Sequence, residues 1–327
     1  MTAQELSSSD YAVVLVNLGT PAAPEVPAIK AYLNQFLSDK RVVDYPDWLW
    51  QPILQLAILP FRSRKVAKAY QSIWWPEGSP LRVITERQVN ALQQRLPMPV
   101  RYAMTYGEPA IGNTLKALTE QGVKRIVILP LYPQYSATTT AAVSDQVGDF
   151  LRSCRNQPEI RFHKHYHQHP LYRQALAASV RQHWQQHGQA DALLLSFHGI
   201  PKRFVELGDP YEAHCFETAA QLAEDLGWPQ DKVIVSFQSR VGKEQWLQPY
   251  TDQLLQTLPA KGIKNLQVLS PAFAADCLET LEELSVENKE IYLHAGGESY
   301  QYIAALNDSS PHIDVFAAIV QQQLQGW

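Results

Sequence analysis

One histidine closes an apolar run, Ala192-Leu193-Leu194-Leu195-Ser196-Phe197-His198-Gly199-Ile200-Pro201. The run reads as a buried strand, and Gly199 and Pro201 end it. His198 therefore sits at the carboxyl end of a strand, where open α/β sheets bind ligands. An imidazole there can take up a proton or ligate a metal near neutral pH. A partner set lies after another strand pattern. Glu279, Glu283 and Glu287 are spaced by four, so a helix would carry them as one carboxylate row. Asp276 extends the acidic stretch. Such a row, aimed into a cleft, would lead a hard divalent cation inward. The same spacing also suits an acidic helix face in solvent.

Three other segments carry chemistry-bearing residues. His163, His165, His167 and His169 alternate, and a strand would put all four on one face, able to bind a transition metal. Pro170 ends that run, so an exposed polar edge is the competing reading. Leu131–Thr140 offers aromatic rings and hydroxyls after a strand pattern, without a glycine-rich phosphate cradle. Gly19-Thr20-Pro21 is likewise no dinucleotide fingerprint. Asp47–Phe61 holds Trp48, Leu49, Trp50, Ile53, Leu54, Leu56, Ile58 and Leu59, and Arg62, Arg64 and Lys65 follow. That mixture suits a membrane interface or a lip over a greasy anionic ligand, and it also suits an ordinary core helix.

The elements that must position these residues alternate in type. Strand patterns run over Tyr11–Asn17, Val100–Thr105, Arg125–Leu131, Ile160–His165, Ala192–Phe197, Lys232–Phe237, Asn265–Ser270 and Glu290–His294. Helical patterns include Ile84–Leu96, Ile111–Gln121, Leu171–Gln186, Glu212–Leu226 and Trp246–Leu258. Alternation predicts an α/β fold with parallel sheets flanked by helices. The two halves also resemble each other. Val13–Pro21 aligns with Leu193–Pro201, placing Leu18 where His198 falls, and Gly122–Pro130 aligns with Gly262–Ser270. A duplicated domain is expected, over 1–160 and 161–327, with the last helix packing back on the first domain. A cleft between duplicated domains is a common ligand site.

Composition narrows the classes. The chain has 327 residues, 46% hydrophobic and 18% charged, enough for two packed domains. A net charge of -4 gives no reason to expect nucleic acid. Cys154, Cys215 and Cys277 are far apart and form no Cys-x-x-Cys pair, which argues against a cysteine zinc site or an iron–sulfur cluster. Without a signal peptide or an apolar run of spanning length, a cytoplasmic protein is expected. Peripheral contact with the inner face of a membrane is compatible with this reading.

Taken in order, these segments resemble the ferrochelatase family. The resemblance covers nearly the whole chain and rests on Leu15–Pro21, Gly78-Ser79-Pro80, Tyr132–Ser136, Ser196–Pro201, Gly208–Tyr211, Gln238–Gly242, Trp246-Leu247 and Phe273–Glu279. It implies two similar Rossmann-like domains with a porphyrin between them, and insertion of ferrous iron into protoporphyrin IX. It makes His198 the active-site histidine and proton acceptor, and Glu279 the facing carboxylate. His198, Glu279, Glu283 and Glu287 become the metal-handling set, the last two along a π-helix. Leu18, Tyr106, Tyr132, Trp246 and Phe273 become porphyrin contacts, with Arg62 and Ser79 toward the propionates. Protoporphyrin IX and Fe2+ are then substrates, and no permanently bound cofactor and no iron–sulfur cluster are expected.

Two positions depart from the family pattern. Thr105 stands before Tyr106 where many relatives carry arginine, and Cys277 stands where some carry histidine. The second change would offer a softer ligand to the metal. The competing functions are a cobalt or nickel chelatase of another tetrapyrrole and a non-catalytic porphyrin carrier. The oligomeric state is left open.

Overall fold

The computed structural model describes residues 10–242 and 244–327. The apolar runs become strands β1 (Tyr11–Gly19), β2 (Val100–Tyr106), β3 (Arg125–Pro130), β4 (Glu159–Phe162), β5 (Ala192–His198), β6 (Val233–Gln238), β7 (Asn265–Leu269) and β8 (Ser299–Ile303). They build two four-stranded sheets of the same order, β2-β1-β3-β4 and β6-β5-β7-β8. Every pairing within them is parallel. The central strands are covered on both faces, so they show no polar alternation. Val13 to Val16 and Leu193 to Leu195 are all 0% exposed.

Each sheet has its own core. In the first, Val14, Val16, Ile126 and Ile128 pack with Ile111, Leu115, Val143 and Val147 from the helices Ile111–Glu120 and Ala142–Ser153. In the second, Leu194, Leu266 and Val268 pack with Leu255, Leu284 and Tyr292. The chain divides into two compact units on this basis. One comprises the residues up to Tyr132 with Ala137–His165 and Ile313–Trp327, and the other Pro133–Ser136 with Tyr166–His312. A π-helix follows the third strand of each half, over Ala137–Ala141 and over Glu279–Glu287.

Three sequence expectations are corrected. The helix expected from Trp246 begins only at Thr251, and Trp246 instead forms an extended bridge with Pro201. Pro249 explains this, because the residue before a proline is pushed out of the helical region. Glu290–His294, expected as a strand, lies in the helix Asn288–His294. Its short apolar run fits either period, and Tyr292 packs inward on the helical one. The alternating histidines do not share a face, because β4 stops at Phe162. His167 pairs with Glu217 at 2.8 Å, while His169 accepts from the Leu171 N–H at 3.3 Å, at the start of the helix Pro170–His187.

Candidate active site

His198 is the last residue of β5, paired in register with Gln238, the last of β6. Its Nδ1 lies 2.7 Å from the carbonyl oxygen of Gly199. A carbonyl can only accept, so Nδ1 carries the proton and the neutral ring keeps its lone pair on Nε2. Gly199 is required here. A Cβ would stand 2.9 Å from the Gln238 carbonyl oxygen and 3.2 Å from Cε3 of Trp246. The half-buried Trp246 therefore packs close over the backbone beside His198, held by Leu247 N–H bonding to the Ile200 carbonyl at 3.0 Å. Its indole N–H is buried without a hydrogen-bond partner.

The acidic row lies on the π-helix Glu279–Glu287. The Asn288 N–H reaches back five residues to the Glu283 carbonyl, the π pattern that often marks functional sites. Asp276 anchors its start. The Asp276 carboxylate accepts from Thr280 (2.9 Å), Tyr302 (2.7 Å) and Asn307 (2.7 Å) and is 5% exposed. It is thus a buried acceptor and not an extension of the acidic face. Glu279 and Glu283 are half-buried and Glu287 is exposed, so the row runs outward from the interior. Phe273, half-buried, lies in the turn after β7, where its N–H bonds to the Ser270 carbonyl.

Glu283 is gripped most firmly. Ser239 donates its N–H to Oε1 at 3.1 Å and its hydroxyl to Oε2 at 2.5 Å, and Gln238 Nε2 donates to Oε2 at 3.4 Å. Ser239 does so from the left-handed region, φ 64°, which costs a non-glycine residue free energy. Burial raises the Glu283 carboxyl above its usual value, against the pull of the Ser239 hydroxyl and of the nearby His198. Gln238 is set from below, its Oε1 accepting from Ser196 at 2.6 Å. Ser239 and Gln238 carried no role in the sequence reading. The signal was available, since both stand where the β6 pattern ends.

Cys277 is 4% exposed, and burial pushes its thiol well up. Among the described residues, no group of three or more His, Cys, Asp or Glu side chains is arranged to hold a metal ion.

The other sheet ends in a different set. Leu18 occupies the place on β1 that His198 holds on β5, and is half-buried. Gly19 follows at φ 107°, and a Cβ there would lie 1.7 Å from the Tyr106 carbonyl oxygen. Ser79 is 2% exposed and accepts from the Thr20 hydroxyl at 2.7 Å, beside the end of β1. Tyr106 is 1% exposed and donates to Asp39 at 2.8 Å. It borders a shallow depression of about 370 Å³ with Asn34, Gln35, Ser38, Asp39 and Gln146. Thr105 spends its hydroxyl on the Asn17 carbonyl at 3.2 Å. Tyr132 packs against the first core with its hydroxyl buried, and burial raises that hydroxyl well above its usual value.

The apolar segment forms the helix Asp47–Ile53, a π-helix over Leu54–Ile58 and the start of the helix Leu59–Ile73. It is pinned from beneath, with Trp50 Nε1 donating to the Leu37 carbonyl at 2.6 Å and Leu54 and Leu59 both 0% exposed. Its outer side presents Trp48 (78%), Leu56 (78%) and Phe61 (77%) to solvent. An ordinary core helix is thereby excluded. Arg62 is half-buried on the helix Leu59–Ile73, and Arg64, Lys65 and Lys68 are exposed.

Two four-stranded parallel α/β sheets of identical order define a chelatase-type fold. The sirohydrochlorin chelatase SirB of Bacillus subtilis subspecies spizizenii, solved with cobalt, shares it at TM-score 0.57 and 11% identity, over 96% of this chain and 95% of that one. SirB from Bacillus subtilis, solved with Fe3+, gives the same TM-score of 0.57 at 14% identity over 97% and 96%. The ferrochelatase family profile matches residues 10–324, and the chain belongs to the ferrochelatase family. It is 57% identical over 309 residues to the ferrochelatase of Vibrio cholerae, covering 94% of this chain and 97% of that protein. It is 52% identical over 326 residues to ferrochelatase 1 of Shewanella oneidensis, covering 98% of each.

Proposed function

We propose that this chain inserts ferrous iron into protoporphyrin IX, with His198 as the group that accepts a pyrrole proton. The observation that carries this is the Nδ1–Gly199 hydrogen bond, which leaves Nε2 as the basic nitrogen. Insertion of one Fe2+ releases two pyrrole protons. The first passes to Nε2, giving an imidazolium whose Nδ1–H still bonds to Gly199. Glu279 assists the second proton's departure or holds the metal on its side. Glu283 and Glu287 lead the hydrated cation inward, exchanging water for carboxylate oxygen. Leu18, Tyr106, Tyr132, Trp246 and Phe273 are assigned to the macrocycle, and Arg62 and Ser79 to its propionates by charge-assisted bonds. Rigid walls that bend the ring expose its nitrogen lone pairs, strain supplied by binding elsewhere on the substrate.

The same reading makes the protein cytoplasmic with peripheral contact at an anionic membrane surface. Trp48, Leu56 and Phe61 enter the interface, and Arg64, Lys65 and Lys68 meet the headgroups. No helix among the described residues is long and apolar enough to cross a membrane. An anaerobic assay with protoporphyrin IX and Fe2+, followed by absorbance, tests the chemistry. Protohaem formation is expected. Binding of porphyrin without turnover would make the chain a carrier, and turnover with cobalt or nickel alone would make it another chelatase.

A further inference from the structure

A histidine pair lies away from the strand-end site, on the helix Pro170–His187. His183 and His187 are one turn apart, so both project from the same face. Their ring centroids are 4.5 Å apart and the planes meet at 40°. His187 is exposed and His183 half-buried.

A chain of hydrogen bonds fixes which nitrogen of His183 is available. The Trp184 indole can only donate, and gives to Gln267 Oε1 at 2.8 Å. That orients the Gln267 amide, whose Nε2 donates to the Gly188 carbonyl and to Gln301 Oε1, each at 2.9 Å. Gln301 Oε1 is therefore an acceptor, and His183 Nε2, 3.2 Å from it, must donate. The neutral ring carries its lone pair on Nδ1. Gln267 is 2% exposed and paired in register with Gln301 across β7 and β8, so this orientation is held by desolvated, sheet-borne groups. A histidine that ligates metal through one nitrogen while donating the other to an amide carbonyl is the usual supported ligand.

We propose that His183 and His187 form a second metal site, which takes a first-row divalent cation of the imidazole-favouring kind through two ring nitrogens. Water completes the coordination shell. The order of affinities for such ligands places copper above nickel and zinc, and all three above ferrous iron. The site therefore selects cations other than the proposed substrate.

Titration calorimetry of the metal-free full chain with CuCl2 or NiCl2 alone tests this, with His198→Ala in both arms to silence the strand-end site. The His198→Ala protein is expected to bind one equivalent that the added His187→Ala change removes or weakens at least tenfold. Copper resonance spectra should lose one of two nitrogen couplings in the same comparison. Equal stoichiometry and affinity in the two proteins, or unchanged nitrogen couplings, would overturn the proposal. His187→Gln serves as a second variant should the alanine protein fold poorly. In the otherwise native chain, His187→Ala should leave iron insertion unchanged. A loss of turnover there would show that the pair is no separate site.

Discussion

The ends of β1 and β5 occupy the same place in sheets of the same order, yet they hold different chemistry. At one, Leu18 precedes a glycine pressed against the Tyr106 carbonyl. At the other, His198 precedes a glycine pressed against the Gln238 carbonyl. A π-helix follows the third strand in each half. Ala137–Ala141 is five residues long and carries threonines, whereas Glu279–Glu287 is nine long and carries carboxylates. The backbone device is shared, and the side chains differ: an imidazole and carboxylates stand at one end, and Leu18, Ser79 and threonines at the other. Fold alone therefore says little about which end reacts.

The largest effect that would break this contrast is at His198. His198→Ala should lower iron insertion by roughly 10²–10⁴-fold, the usual worth of a positioned general base, with porphyrin still binding. Leu18→Ala should alter the Michaelis constant for porphyrin while leaving kcat within a few-fold. Near-parental turnover in His198→Ala, read by the anaerobic absorbance assay, would remove the distinction between the two ends.

Stability offers a second contrast, because His312 lies in the unit that holds His198. It is 0% exposed, with Nδ1 2.8 Å from the Asn307 carbonyl, and burial pushes its pKa down to about 4. A folded value below the unfolded one means the unfolded chain binds the extra proton. The stability is fully present above pH ~6.5 and is lost as pH falls toward about 4. At about 1.4 kcal/mol per unit, the loss reaches about 3 kcal/mol. His312→Asn keeps a donor for the Asn307 carbonyl without titrating. Urea unfolding of that variant should show a flatter acid limb than the parent, and parallel limbs would refute the assignment.

Ser239 sharpens the comparison within the reacting end. Its grip on Glu283 combines a backbone and a hydroxyl donor, and a hydrogen bond to a charged group is worth about 1.5–3 kcal/mol. Ser239→Ala should raise the apparent Michaelis constant for Fe2+ roughly tenfold, with that for porphyrin little changed. Ser239→Gly relieves the left-handed backbone but lacks the hydroxyl, so it should match the alanine variant. Recovery in the glycine protein would mean that backbone strain, and not the hydroxyl, governs Glu283.

Much of this arrangement was legible because period and punctuation agree. Continuous apolar runs ended by glycine or proline located β1 and β5, and their likeness to each other anticipated the repeated sheet order. The illegible parts share a physical cause. The 290–294 run is too short to distinguish helix from strand, and the 163–169 alternation says nothing about where hydrogen bonding to Ile128 ends the strand. Charge type alone could not separate Asp276, consumed by four internal donors, from Glu279 and Glu283. The His183–His187 spacing was visible, but its tautomer depends on Gln267 and Gln301, more than eighty residues away in sequence.

Glu287 is where the smallest effect is expected and where the two π-helices differ most directly. It is exposed, so solvent screens its field, and a surface charge of this kind is worth little. Glu287→Gln should raise the apparent Michaelis constant for Fe2+ only about twofold at low salt. The difference should vanish near 1 M salt, where the screening length falls to about 3 Å. Glu283, half-buried, lies deeper on the same helix, so Glu283→Gln should keep its penalty at high salt. A row that conducts the cation predicts this graded salt response. Two carboxylates with identical salt dependence would instead describe a solvated acidic face.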